Sequence, residues 1–165
     1  MSKIDVVATM HKFNSLCVAI ELAETSRDQA LALLQQQRNH LGHAQDQMDQ
    51  LQSYAKETET RWAQNAQAGT TPELLHHHYQ FMTRLQQAVV LQQDVLAGST
   101  TRLKAAQQQV LQAEVHMAGL KLLLAKRQAG QLQQEQRREQ KQMDEFAAMQ
   151  TLRQTRQKLE NHHGN

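Results

Sequence analysis

One apolar register runs through Leu75–Leu124, which reads LHHHYQFMTRLQQAVVLQQDVLAGSTTRLKAAQQQVLQAEVHMAGLKLLL. Every seventh residue of this stretch is apolar: Leu75, Met82, Val89, Leu96, Leu103, Val110, Met117 and Leu124. A seven-residue apolar repeat of this length predicts a long helix with a continuous seam for a second helix. The repeat then stops, because the next positions at the same spacing are Gln131, Arg138 and Glu145. The sequence therefore predicts a coiled coil with a polar helical extension beyond its seam.

The first part of the chain carries a matching seam. Its members fall seven or fourteen residues apart, with Arg27 as the one break: Phe13, Ile20, Leu34, Leu41, Met48, Ala55 and Trp62. Between the two seams, Gly69 and the only proline, Pro72, mark a loop, and Thr71 suits the cap of the helix that follows. We therefore expect a single domain with helices at about 4–65 and 72–158, a loop at about 66–71, and a disordered end beyond 158.

A tight loop makes the two helices antiparallel, so that the numbers of facing residues should add up to roughly 137. Phe13 would then face Leu124, the last member of the second seam.

Gly98–Thr101 is a second candidate break, but Leu96 and Leu103 stay in register across it, which favours a continuous helix. The predicted fold is an all-α, antiparallel two-helix coiled-coil hairpin with a C-terminal helical extension.

Composition narrows the possible functions. The 29 glutamines and few aromatics favour helix pairing over a thick globular core, and the net charge of +2 steers the chain toward neither nucleic acid nor membrane. The single cysteine, Cys17, excludes an internal disulfide, fits a reducing compartment and is expected to be a small packing residue. We expect no signal peptide, and no segment reaches the 18 apolar residues of a membrane span.

The sequence offers no support for an enzyme. It has no phosphate-binding loop of the Gly-x-x-x-x-Gly-Lys type. Consecutive residues such as His76–His78 point about 100° apart on a helix and cannot close on one metal ion, and no cysteine or acid completes a set with His40 and His43. We therefore expect neither catalytic residues, nor a metal, nor another cofactor.

Two features are candidate binding surfaces. Near the loop, the i, i+4, i+7 spacing repeats on both helices and predicts one patch across them, in which Tyr54 and Phe81 flank the seam: Gln47, Leu51, Tyr54, Phe81, Leu85 and Ala88. Beyond the seam, the extension combines an apolar stripe with basic residues and has the pattern of a docking helix. Its candidate residues are Arg137, Arg138, Lys141, Met143, Asp144, Glu145 and Phe146.

The segment Lys141-Gln142-Met143-Asp144-Glu145-Phe146-Ala147 resembles the Lys-x-Met-Asp-Glu-Phe-Ala segment near the end of the flagellar export protein FliJ family. Tyr79-Gln80-Phe81 with Leu85 and Ala88, and Gln47, Leu51 and Tyr54, also match this family without a gap between them. The resemblance covers roughly residues 10–150. The chain departs from the family at Thr58, where the family has tyrosine, and at Gln92, where it has histidine.

The resemblance implies a non-catalytic component of the flagellar type III export apparatus, with a fold resembling the rotor stalk of rotary ATPases. It implies binding of the hexameric export ATPase FliI through the terminal end, contact with the export gate protein FlhA through the six residues near the loop, and handling of export chaperones. It further implies a cytoplasmic protein, peripherally associated with the membrane at the flagellar base and needed for motility and chemotaxis.

Three alternatives remain open at this point. The chain could be the equivalent stalk of a virulence type III secretion system, although the Met-Asp-Glu-Phe-Ala segment favours the flagellar version. It could be a structural scaffolding coiled coil that self-associates through its extension. Basic residues of the extension, Arg153 and Arg156 among them, could also bind nucleic acid, but Glu135, Glu139 and neighbouring acids weaken that hypothesis.

Overall fold

The structure is a computed structural model that describes residues 3–162, with side chains from residue 13 onward. Two helices account for nearly all of this range: α1 spans Lys3–Gln67 and α2 spans Pro72–His162. They pack against each other, which confirms the predicted all-α helical hairpin. Helix α1 ends two residues beyond the expected position and α2 four residues beyond it. Residues 159–162 contain neither glycine nor proline, so nothing in them stops the helix.

The connection between the helices is short because each helix end has its own local signal. Gly69 has a φ angle of 107°, which is accessible to glycine at little cost and lets the chain leave α1. Thr71 caps α2, since its side-chain oxygen accepts a hydrogen bond from the backbone N–H of Leu74 at 3.3 Å. Pro72 occupies the first helical position, where its missing N–H costs no hydrogen bond.

The contacts across the seam scatter around the predicted register. Trp62 stacks on His78, and Leu34 packs with Ala106, so that the residue numbers of both pairs add up to 140. Those of Tyr54 with Phe81 and of Gln92 with Ala44 add up to 135 and 136, on the other side of the predicted value of roughly 137. Such scatter is expected because a seam residue packs into a hole formed by several residues of the facing helix. The cluster around Leu34 thus contains Leu103, from the row quoted above, and Ala106, from a companion row three residues further along α2.

The companion row of α2 is polar in places. Its members are buried or half-buried: His78, Leu85, Gln92, Ser99, Ala106, Ala113 and Leu120. Leu75, expected as the first seam residue, is instead 52% exposed, because it lies in the first turn after the loop, level with the end of α1. Among the described side chains none is fully buried, as expected for a seam between only two helices.

Helix α2 continues through Gly98–Thr101, which confirms the interpretation from the register. The hydroxyls of Thr100 and Thr101 donate to the carbonyls of Leu96 and Ala97 at 2.9 and 3.0 Å, so both polar side chains are satisfied within the helix.

The chain forms two compact units. One unit, Glu21–Met117, contains the loop and the cluster around Leu34. Within it Arg27, the break in the first seam, directs its guanidinium to the Met117 sulfur at 3.5 Å and to the Asp28 carboxylate at 2.8 Å. The other unit combines the residues up to Ile20 with those from Ala118 onward. In the described helices we find no stretch long and apolar enough to cross a membrane.

Candidate partner-binding surfaces

The six predicted residues near the loop, here called the loop-end patch, are joined across the two helices by a contact between Tyr54 and Phe81. The rings of Tyr54 and Phe81 meet edge to face, with centroids 5.9 Å apart and planes at 85°. Tyr54 is 48% and Phe81 39% exposed, whereas Leu85 is buried and Leu51 and Ala88 are half-buried. The aromatic pair therefore rests on the seam and still presents much of its surface to solvent. The sequence-based register had placed Tyr54 level with residue 83, two residues from the Phe81 ring that it contacts.

Gln92 fixes the far edge of the loop-end patch. Its side-chain amide donates to the backbone carbonyl of Ala44 at 2.8 Å and to the Gln47 side-chain oxygen at 3.3 Å. A helix carbonyl that accepts a second hydrogen bond from the opposite helix ties the two helices at one level. The spacing of Gln92 from Phe81, Leu85 and Ala88 places it on the same face of α2, and the sequence also marks it as a departure from the family pattern. Neither feature predicted these hydrogen bonds.

A second aromatic contact lies closer to the loop. The rings of Trp62 and His78 stack in parallel, with centroids 4.2 Å apart and planes at 5°. The neighbouring His76 ring nitrogen pairs with the Gln80 amide at 3.0 Å, and the His76 and His77 rings are 6.4 Å apart. In the part of the chain that the structure describes, no group of three His, Cys, Asp or Glu residues could hold a metal ion. Cys17, expected as a packing residue, is exposed.

The C-terminal extension, defined here as residues 126–162, is a helix with almost no covered surface. All of its side chains are exposed except that of half-buried Gln131. Large apolar side chains lie open along it: Leu132 at 57%, Met143 at 74%, Phe146 at 65%, Met149 at 62%, Leu152 at 70% and Leu159 at 62% exposure. Because so much exposed apolar area costs free energy in water, this pattern is typical of a helix that docks on another molecule.

Two chemically different grooves lie along the extension. One is formed by Met143, Phe146 and Ala147, with Glu139 at its edge. The other contains Arg137 and Lys141 together with glutamines and Asp144. The predicted residues thus divide between an apolar and a basic surface of one helix, which can contact a partner from more than one side. Arg138 and Glu145 are exposed on the same helix.

Comparison with known proteins identifies the family. The profile described as flagellar FliJ protein matches residues 11–156, which includes both the loop-end patch and most of the extension. No curated protein and no solved structure matched the chain. The match covers most of the sequence, and the chain therefore belongs to the flagellar FliJ family, whose members are components of flagellar protein export.

Proposed function

We propose that this protein is a non-catalytic coupling component of flagellar export that binds the hexameric export ATPase FliI through its C-terminal extension and the export gate protein FlhA through its loop-end patch. It would act in the cytoplasm, peripherally associated with the membrane at the flagellar base, and also handle export chaperones. Flagellum assembly, and with it motility and chemotaxis, would depend on it. The observation that carries this proposal is the long exposed helix of the extension, which has apolar and basic surfaces.

The extension suits the ATPase contact because its exposed apolar and basic surfaces fit a partner that contacts the helix from more than one side. Eight Lys and Arg residues against five Asp and Glu in residues 126–165 favour an acidic partner surface. Met143 and Phe146 supply the apolar anchors that dominate binding free energy in many interfaces. A continuous helix also transmits force better than a flexible linker of the same length.

The loop-end patch suits the gate contact because it offers a rigid aromatic anchor. The edge-to-face contact holds Tyr54 and Phe81 in place, so little side-chain entropy is lost when a partner covers them. Gln92 holds the Gln47 side chain at the far edge of the patch. The patch is therefore preorganised, with a polar edge and an apolar centre.

Steady-state ATP hydrolysis by the cognate FliI tests the first contact. We expect the full chain to stimulate hydrolysis, and both a truncation after Gln128 and the double variant Met143→Ala/Phe146→Ala to lose most of this effect. Leu122→Ala is the matched control, since Leu122 is 58% exposed on the same helix but lies outside the extension. Absence of both stimulation and co-sedimentation with the full chain would rule out the coupling role.

Binding to the cytoplasmic part of FlhA, measured by calorimetry, tests the second contact. Tyr54→Ala/Phe81→Ala should weaken binding at least tenfold, about 1.4 kcal/mol, because it removes the proposed anchors. Tyr79→Ala serves as control, since Tyr79 is an aromatic of α2 that is 70% exposed and outside the loop-end patch. Equal loss in both variants, or loss in neither, contradicts the assignment.

A scaffolding role gives a different result in sedimentation equilibrium. The exposed Leu152 and Leu159 could in principle pair with a second copy of the chain. The coupling role predicts a concentration-independent monomer mass for the purified protein. Self-association that disappears on truncation after Gln128 would instead support the scaffold.

A further inference from the structure

The seam contains a level at which both helices carry a glycine. Trp62 with His78 and Leu34 with Ala106 lie on either side of it, and the residue numbers of each pair add up to 140. The hydrogen bond between Gln92 and the Ala44 carbonyl, whose numbers add up to 136, lies closest to it. The numbers of Gly42 and Gly98 add up to 140, within the range of these contacts. The two glycines therefore lie within about one helical turn of each other along the seam, one in each helix.

Close packing does not require either glycine. A Cβ atom added to Gly42 would meet nothing within 4 Å among the described residues, and one added to Gly98 would meet only the Arg102 guanidinium at 3.9 Å. Neither has a positive φ angle, because Gly69 is the only described residue with one. Glycine destabilises a helix interior relative to alanine, so both positions weaken the helices without a steric reason.

The seam at this level is also polar. Ser99, in the middle of the seam, is buried and receives only a long hydrogen bond of 3.4 Å from Arg102. One turn away, the buried side-chain oxygen of Gln37 has no hydrogen-bond partner. A Gly-Ser pair, followed by two threonines that bond back to the preceding turn, is a recurrent cause of helix bending.

From this coincidence we infer that Gly42 and Gly98, with the polar layer of Gln37 and Ser99, form a bending joint at which both helices flex together. The joint lies between the loop-end patch and the aliphatic cluster of Leu34, Ala106 and Val110. The packed segments on either side move as rigid pieces, and the helices bend where glycine restrains the backbone least and the seam is polar. This inference stands independently of the proposed partners.

Hydrogen exchange on the full-length protein, read by mass spectrometry, tests the joint. In the wild type we expect faster exchange, after correction for intrinsic rates, in segments 38–46 and 95–102 than in the flanking segments 30–37 and 103–110. The double variant Gly42→Ala/Gly98→Ala should slow exchange in both joint segments by about fivefold per glycine, the effect of replacing a helical glycine by alanine.

Gly119→Ala is the matched control. It also adds a methyl group that meets nothing within 4 Å, but the segment of α1 in its own compact unit, which ends at Ile20, contains no glycine. It should leave the segments 38–46 and 95–102 unchanged. Uniform exchange along the wild-type seam would overturn the inference, and so would fast exchange at the joint that the double variant does not slow.

Discussion

Single side chains of this protein differ sharply in how much stability they contribute, because the seam covers only one side of each helix. Leu34 is 7% exposed, while the adjacent Leu33 is 36% exposed. We expect Leu34→Ala to lower the free energy of unfolding by about 2–4 kcal/mol and Leu33→Ala by less than about 1 kcal/mol. Urea unfolding followed by circular dichroism measures both. Equal losses would contradict the register described here.

The cap of α2 is a second place where a single side-chain atom contributes to stability. The Thr71 side-chain oxygen accepts a hydrogen bond from the backbone N–H of Leu74, which lies in the first turn and would otherwise have no partner within the helix. Thr71→Ala should cost about 1 kcal/mol of stability, whereas Thr71→Ser, which keeps the oxygen, should cost less than half as much. If the two variants unfold at the same urea concentration, the hydroxyl does not act as a cap.

At the scale of elements, the extension and the paired helices should be energetically separate. The extension is exposed along almost its whole length, so its removal deletes few packing contacts. A truncation after Gln128 should keep its melting temperature within about 2 °C of the full chain, equivalent to less than about 1 kcal/mol.

A longer truncation is the matched control for that prediction. Ending the chain after Met117 also deletes Leu120 and Leu124, which are half-buried in the same unit as Leu16 and Ile20. This variant should melt at a clearly lower temperature, because buried apolar area is lost. If the shorter truncation is equally destabilised, the extension packs on the rest of the protein.

At the scale of the whole molecule, the proposed coupling requires both surfaces on one chain. We expect neither Tyr54→Ala/Phe81→Ala nor the truncation after Gln128 to restore swarming in a strain that lacks the gene. Co-expression of the two variants should also fail, because each chain then contacts only one proposed partner. Wild-type swarming with the mixture would show that the two contacts act independently and that no single chain couples them.

Much of the fold follows from short-range patterns that can be identified directly in the sequence. The heptads, the cap at Thr71 and the left-handed glycine at Gly69 act within one or two helical turns, so they predict the helices, the loop and the antiparallel pairing. The exposed stripe of the extension was predictable for the same reason, since the apolar register visibly stops after Leu124. The family relationship likewise rests on short segments of sequence and is confirmed by the profile match.

The tertiary structure decided the height at which the two helices face each other. That height depends on the sum of many weak contacts along the seam and on where the loop begins, and no single residue reports it. Helix packing brings the Tyr54 ring against Phe81, the Gln92 amide to the Ala44 carbonyl, and the Trp62 ring onto His78. It also brings Gly42 and Gly98 to within about one helical turn of each other. The sequence alone thus determined which surfaces each helix carries, whereas only helix packing decided which side chains of the two helices meet.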